Sequence, residues 1–100
     1  MNKKIENLYK AILALKNIDE AKKFFRDLLT EQEIEEFSKR WQVANMLSEK
    51  ISYSTIEKKT GLSSTTIARI SKWLNKGKGG YKLAIKRYHH NSSFLKKGLN

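Results

Sequence analysis

The sequence predicts an all-α fold of six helices, on three observations. Proline is absent from the 100 residues, and the first of the five glycines is Gly61. Apolar residues recur at spacings of three and four along most of the chain, the period of a helix with one buried face. Hydroxyl or carboxylate residues that can cap a helix stand just before several of these stripes. The length suits one domain, and a domain of this size buries only about 60–70% of its unfolded surface. The core of a monomer would therefore be thin, and a second copy would add to it.

Ile5, Leu8, Tyr9, Ile12 and Leu15 form one stripe and predict a first helix over about residues 3–15. Asp19 can cap a second helix, with Glu20 in its first turn and Ala21, Phe24, Phe25, Leu28 and Leu29 on its apolar side. Thr30-Glu31-Gln32-Glu33 fits a capping box, in which the Thr30 hydroxyl accepts the Glu33 N–H and the Glu33 carboxylate accepts the Thr30 N–H. Ile34, Phe37, Trp41, Ala44 and Leu47 carry that third helix to about Lys50. Their stripe reads as core or dimer packing before it reads as a ligand pocket.

Ser54-Thr55-Ile56-Glu57 fits a second capping box and predicts a short fourth helix. Thr60-Gly61-Leu62 interrupts it, and Gly61 can take the positive φ of a sharp turn. Ser63 or Ser64 can cap a fifth helix running to about Asn75. Gly77-Lys78-Gly79-Gly80 breaks it. A last short helix is expected over 81–88, with Leu83, Ala84, Ile85 and Tyr88 inward. The sequence thus divides into a helical domain over 1–88, with a helix-turn-helix at about 54–75, and a basic flexible tail over 89–100.

Charge points to a partner. Residues 1–50 carry ten Lys or Arg against nine Asp or Glu, whereas residues 51–100 carry eleven against Glu57 alone. A solubility charge would be spread along the chain. A polarised one predicts a surface that meets a polyanion, with nucleic acid ahead of an anionic membrane. No apolar run approaches the ~20 residues that span a bilayer. No secretory signal pattern is present, so a cytoplasmic location is expected. Cysteine is absent, which excludes disulfides and thiolate metal sites.

Two short helices around a tight turn, apolar only on their inner sides, are what a helix-turn-helix needs. Ile56, Leu62, Ile67, Ile70 and Leu74 supply the inner side. Ser64, Thr65, Thr66, Arg69 and Lys72 share the outer face of the fifth helix. Hydroxyls near a helix N-terminus followed by basic residues suit a major groove, where they meet base edges and phosphates. Ser64, Thr65, Thr66 and Arg69 are the candidates for base or near-base contact. Lys58, Lys59, Lys72, Lys76 and Lys78 are the candidates for backbone contact.

Leu28-Leu29-Thr30-Glu31-Gln32-Glu33, Lys39-Arg40-Trp41 and the run from Thr60-Gly61-Leu62 through Arg69-Ile70 carry a family resemblance. The chain resembles the Trp repressor superfamily, and within it the YerC/YecD branch of TrpR-related proteins, over about residues 15–88. The resemblance implies an intertwined homodimer on double-stranded DNA. The first three helices would interlock with the partner, and the fourth and fifth would read the duplex. It also implies a pocket around Thr30, Arg40 and Arg69, which align with residues that hold tryptophan in the tryptophan-binding repressor. Ile70 stands where that repressor has a glycine, and its branched side chain should fill the space for the indole. Tryptophan is therefore not the expected corepressor, and no other cofactor is indicated. A different small corepressor stays open, as does pairing of Arg40 or Arg69 with Glu31, Glu33, Glu36 or phosphate.

Other signals are weaker. Lys76-Gly77-Lys78-Gly79-Gly80 matches no phosphate-loop pattern and reads as a basic connector. His89-His90 has no nearby ligand set and reads as surface. Trp73 is expected to pack in the core beside Leu74. No catalytic set is present, so an enzyme is not expected. Two further readings compete with a sequence-specific regulator. One is a non-specific architectural or RNA-associated binder using Lys82, Lys86, Arg87, Lys96 and Lys97. The other is a membrane-surface protein, for which 81–88 is too short.

Overall fold

The computed structural model describes the backbone of residues 2–98 and the side chains through His90. Six helices follow in order: α1 (Lys3–Leu13), α2 (Ile18–Leu28), α3 (Glu31–Ser48), α4 (Tyr53–Thr60), α5 (Ser64–Lys76) and α6 (Gly80–Gly98). No strand occurs among the described residues, so the fold class is all-α as the sequence predicts.

The first five helices each begin where a side chain accepts an N–H of the first turn that has no backbone acceptor. Asn2 Oδ1 accepts the Lys4 N–H at 2.8 Å to start α1. Asn17, not Asp19, caps α2: its backbone is extended (φ −158°, ψ 175°) and its Oδ1 accepts the Glu20 N–H at 2.9 Å. The Glu20 carboxylate returns to the Lys16 N–H at 2.9 Å. Asp19 falls inside the first turn, where its charge complements the helix dipole.

The capping box of α3 forms as read: Glu33 N–H to Thr30 Oγ1 at 3.1 Å, and Thr30 N–H to Glu33 Oε1 at 2.9 Å. These hydrogen bonds, the backbone one first, hold the Glu33 carboxyl below its ordinary pKa. The expected cap of α4 moves two residues back, to Ser52, whose Oγ accepts the Thr55 N–H at 3.3 Å. The physical reason is Ile51, which packs against the core just before the cap and leads the chain into the helix. Ser63 caps α5 in the same manner, with its Oγ accepting the Thr66 N–H at 3.2 Å.

The chain forms two units, residues 1–37 and 38–100. In the first, no residue of α1 or α2 is buried. Leu13 is 84% exposed and Ile18 71%. In the second, Val43, Ala44 and Met46 of α3, Ile56 of α4, Ile67, Ile70 and Leu74 of α5 and Ile85 of α6 form one buried cluster. Trp41, Leu47, Ile51, Leu62 and Tyr81 pack around it.

The last helix is longer than the 81–88 expected from sequence. It starts at Gly80 and continues through Gly98, across the stretch read as a flexible tail. Asn and Ser at 91–93 are weak helix formers but do not stop a helix, and no proline follows. The side chains of Lys96 and Lys97, and residues Leu99 and Asn100 altogether, lie outside the described residues. Among the described residues of this helix Ile85 is buried, whereas Leu83, Ala84 and Tyr88 are exposed rather than inward as read.

Candidate nucleic-acid interface

The pair α4–α5 is built around Thr60 and Gly61. Gly61 has φ 74°, the left-handed region where a side chain is strained, and its N–H closes α4 onto the Glu57 carbonyl at 2.8 Å. Thr60 is buried beside it. Its hydroxyl donates to the Ile56 carbonyl at 2.7 Å and accepts the Leu62 N–H at 3.2 Å, so the buried oxygen is used both as donor and as acceptor.

The inner side of the pair is as the sequence predicts: Ile56 and Ile67 are fully buried, Ile70 and Leu74 nearly so, and Leu62 packs against them. Both helices start with the same device. An aliphatic residue, a serine cap and, four residues after the cap, a buried isoleucine recur as Ile51-Ser52-Ile56 and as Leu62-Ser63-Ile67. Each is a hydrophobic staple that fixes the direction in which the chain enters its helix.

The outer side of α5 begins with Ser64 and Thr65, both exposed, and continues with exposed Arg69, Lys72 and Lys76. Thr66 is half-buried and its hydroxyl accepts from Ser63 at 3.1 Å, so its first duty is to the cap. Lys58 and Lys59 are exposed in the last turn of α4, and Lys78 is exposed in the connection to α6. The first turn of α5 has no acidic residue. Hydroxyls at an uncompensated helix N-terminus with cations farther along can accept and donate to bases and hold phosphates.

Of the residues read as a ligand pocket, Arg40 and Arg69 lie in the second unit and Thr30 in the first. Thr30 is occupied by the α3 cap, and Glu31 pairs with Arg26 at 3.2 Å rather than with either arginine weighed from sequence. Arg40 lies with its guanidinium carbon 5.8 Å from the ring centre of Trp73. Trp73 is 41% exposed and not in the core, contrary to the sequence expectation. The reason is that Ile67, Ile70 and Leu74 already fill the inner side of α5, which leaves position 73 on its flank. Ile70 is 1% exposed and belongs to the buried cluster.

In the same unit, Trp41 and Tyr88 meet edge to face at 5.9 Å. His89 Nε2 lies 3.1 Å from Asn45 Oδ1, and Asn45 Nδ2 donates to the Trp41 carbonyl at 2.8 Å. Sequence reading missed this link because 44 residues separate its partners; His89 and His90 are exposed, as expected. Among the described residues no group of three His, Asp or Glu is placed to hold a metal ion. None of the helices described is long and apolar enough to cross a membrane.

Fold and surface define the class first: an all-helical protein built around a helix-turn-helix with a basic, hydroxyl-bearing outer face. The sequence profile of the Trp repressor protein family matches residues 3–89. The uncharacterized protein YerC of Bacillus subtilis is 41% identical over 85 residues, which are 85% of this chain and 82% of that protein. A crystal structure of a candidate Trp repressor from Staphylococcus aureus superposes with a TM-score of 0.83 at 37% identity, covering 89% of each chain. The crystal structure of a TrpR-like protein from Eubacterium eligens gives 0.84 at 43% identity, covering 88% of this chain and 91% of that one. The chain belongs to the Trp repressor family, whose fold is that of helix-turn-helix DNA-binding regulators rather than of enzymes.

Proposed function

We propose that the protein is a sequence-specific transcriptional regulator, acting in the cytoplasm as a homodimeric repressor without tryptophan as corepressor. The observation that carries this reading is the outer face of α5, where Ser64, Thr65 and Arg69 are exposed on a helix whose inner face is anchored by Ile67, Ile70 and Leu74. Ser64, Thr65, Thr66 and Arg69 would face base edges, with Thr66 reaching only past its own cap. Lys58, Lys59, Lys72, Lys76 and Lys78 would hold the phosphates on either side.

The dimer is supported by the first unit. Its 37 residues are below the ~40 at which a chain usually needs a partner or a cross-link to fold. With no buried residue in α1 or α2, their apolar stripes call for a cover, and a second copy supplies one of matching character. A two-fold dimer would present two α5 helices to successive major grooves, with half-sites about 34–36 Å apart. Thr30, Arg40 and Arg69 need hold no ligand in this reading.

A second reading draws on α6, where Lys82, Lys86 and Arg87 are exposed with no acid in the first turn. It makes the protein a non-specific nucleic-acid binder. Selection of bound duplexes from a random pool at near-physiological salt separates the two. An approximately palindromic motif with half-sites one turn apart is the result expected of the regulator. Enrichment of no motif, together with a steep salt dependence on any duplex, overturns it in favour of the second reading.

A further inference from the structure

The inner face of α5 consists of aliphatic side chains, Ile67, Ile70 and Leu74. Turning the helix about its axis would pull these side chains out of a close-packed cluster, so they set its rotation coarsely, and a directional contact at the flank can refine it. The directional contact lies on the flank. Arg40, half-buried on α3, sets its guanidinium 5.8 Å from the centre of the Trp73 ring. Arg40 is one turn ahead of Val43 and Ala44, both fully buried, which anchor this stretch of α3. A planar cation over an indole is the best of the cation–π pairs available to side chains.

The backbone of Trp73 also closes the C-terminal end of α5. Its carbonyl accepts the Gly77 N–H at 3.0 Å, and a Cβ at position 77 would collide with that same carbonyl. The chain leaves α5 in close contact with the Trp73 backbone. Along the helix, Arg69, Trp73 and Lys76 follow at spacings of four and three and share one flank. A rotation that moved the indole away from Arg40 would swing Arg69 and Lys76 with it.

We propose that Arg40 and Trp73 are positioning residues: their stack is an intramolecular clamp that sets the rotation of α5, so the helix is poised for DNA with no small molecule bound. The inference rests on α5 being the DNA-reading helix. The full chain, stripped of small molecules by unfolding and refolding, therefore binds its selected duplex, and added tryptophan leaves the affinity unchanged.

The test is a double-mutant cycle on the full chain with Arg40→Met, Trp73→Leu and the pair, with Trp73→Phe as the conservative variant. Affinities for the selected duplex and for a random duplex are measured beside hydrogen exchange of the α5 amides. Each single change is expected to weaken the selected duplex roughly tenfold, and the pair little more than either alone. Trp73→Leu removes no charge, so it should leave the random duplex within about twofold. Trp73→Phe, which keeps an aromatic face for the guanidinium, should restore most of the selected affinity, which a lost charge would not explain. Wild-type affinity in Trp73→Leu, losses that add independently, or a ligand-free protein that cannot bind would each overturn the clamp. If the wild type selects no duplex, the reading of α5 fails by itself, and exchange then decides the clamp. Faster exchange along α5 in Trp73→Leu that Trp73→Phe reverses upholds it, and unchanged exchange overturns it.

Discussion

The Thr60 hydroxyl and the Leu62 N–H, 3.2 Å apart, lock the turn between α4 and α5 from inside. The same hydroxyl donates to the Ile56 carbonyl at 2.7 Å, so one buried oxygen serves the end of one helix and the approach to the next. Valine at position 60 keeps the shape and loses both bonds. Thr60→Val should lower stability by about 1–3 kcal/mol, the cost of leaving a buried donor without an acceptor. Thr60→Ser should lose less, and the difference is readable in urea midpoints at constant slope. Equal midpoints for wild type and Thr60→Val would show that the turn is held by packing alone.

Gly61 makes the second half of the same turn. Space for a Cβ is open, so the barrier to substitution is backbone strain at φ 74° and not a clash. Gly61→Ala should cost about 1–2 kcal/mol, Gly61→Asn less, and Gly61→Val more because branching resists the left-handed region. Gly77 is the contrasting case, where collision with the Trp73 carbonyl and not φ opposes a side chain. Thermal melts of the alanine variants should therefore respond differently to a following Asn: position 61 tolerates it, and position 77 does not.

Much of this was legible in the sequence, and the failures share a cause. The capping box at Thr30, the left-handed Gly61 and the inner stripe Ile56, Ile67, Ile70, Leu74 are local patterns of residue type and spacing, and each forms as read. The caps of α2 and α4 lie two residues before the positions the sequence suggests. In both places several cap-competent residues lie close together, and the choice among them falls to the backbone leading in. For α4 that is Ile51, whose burial depends on residues far along the chain. Trp73 departs from the expected core position because hydrophobicity alone does not rank an indole against three aliphatic residues competing for one helix face. Its contact with Arg40, 33 positions away in the numbering, has no local signature. α6 runs past the expected end because a polar, basic stretch rich in Asn and Ser lacks an apolar stripe but does not stop a helix.

Ile70 bears on the question of a ligand. Its side chain is buried to within 1% and belongs to the core that anchors α5. Ile70→Ala should lower stability by about 2–4 kcal/mol through lost burial and an unfilled cavity, while Ile70→Val should cost about 1 kcal/mol. Calorimetric titration of the wild type with tryptophan should show no heat of tight binding. A saturating titration would mean that the space taken by Ile70 is not where such a ligand sits.

Glu33 supplies a pH dependence with a defined sign. Its carboxyl is held below the ordinary value of 4.5 by hydrogen bonds with Thr30. A native pKa lower than the unfolded one means that the unfolded chain binds more protons in that range, so stability rises with pH there. The contribution is complete above the ordinary value and is lost as pH falls through the lowered native value. Glu33→Gln keeps a capping acceptor but cannot titrate. Its stability should run parallel to the wild type at neutral pH and fall less steeply below pH 4.5. Identical acid slopes for the two proteins would remove Glu33 from the account of acid unfolding.

The outer face of α5 divides into two kinds of contact, and substitutions can tell them apart. Thr65 is exposed one residue into the helix, and its hydroxyl and methyl are the sizes that discriminate base edges. Lys76 is exposed in the last turn, where a flexible ammonium meets a phosphate. Thr65→Ala is a cleaner probe than Thr66→Ala, because the Thr66 hydroxyl also braces the Ser63 cap. Thr65→Ala should cost about 1–3 kcal/mol on the selected duplex and relax the preference at one position of each half-site. Lys76→Ala should weaken selected and random duplexes alike, and its plot of log affinity against log salt should be shallower by about 1 per subunit. If both variants lose the same affinity on every duplex, with the same salt slope, α5 meets the backbone along its whole length and sequence is read elsewhere.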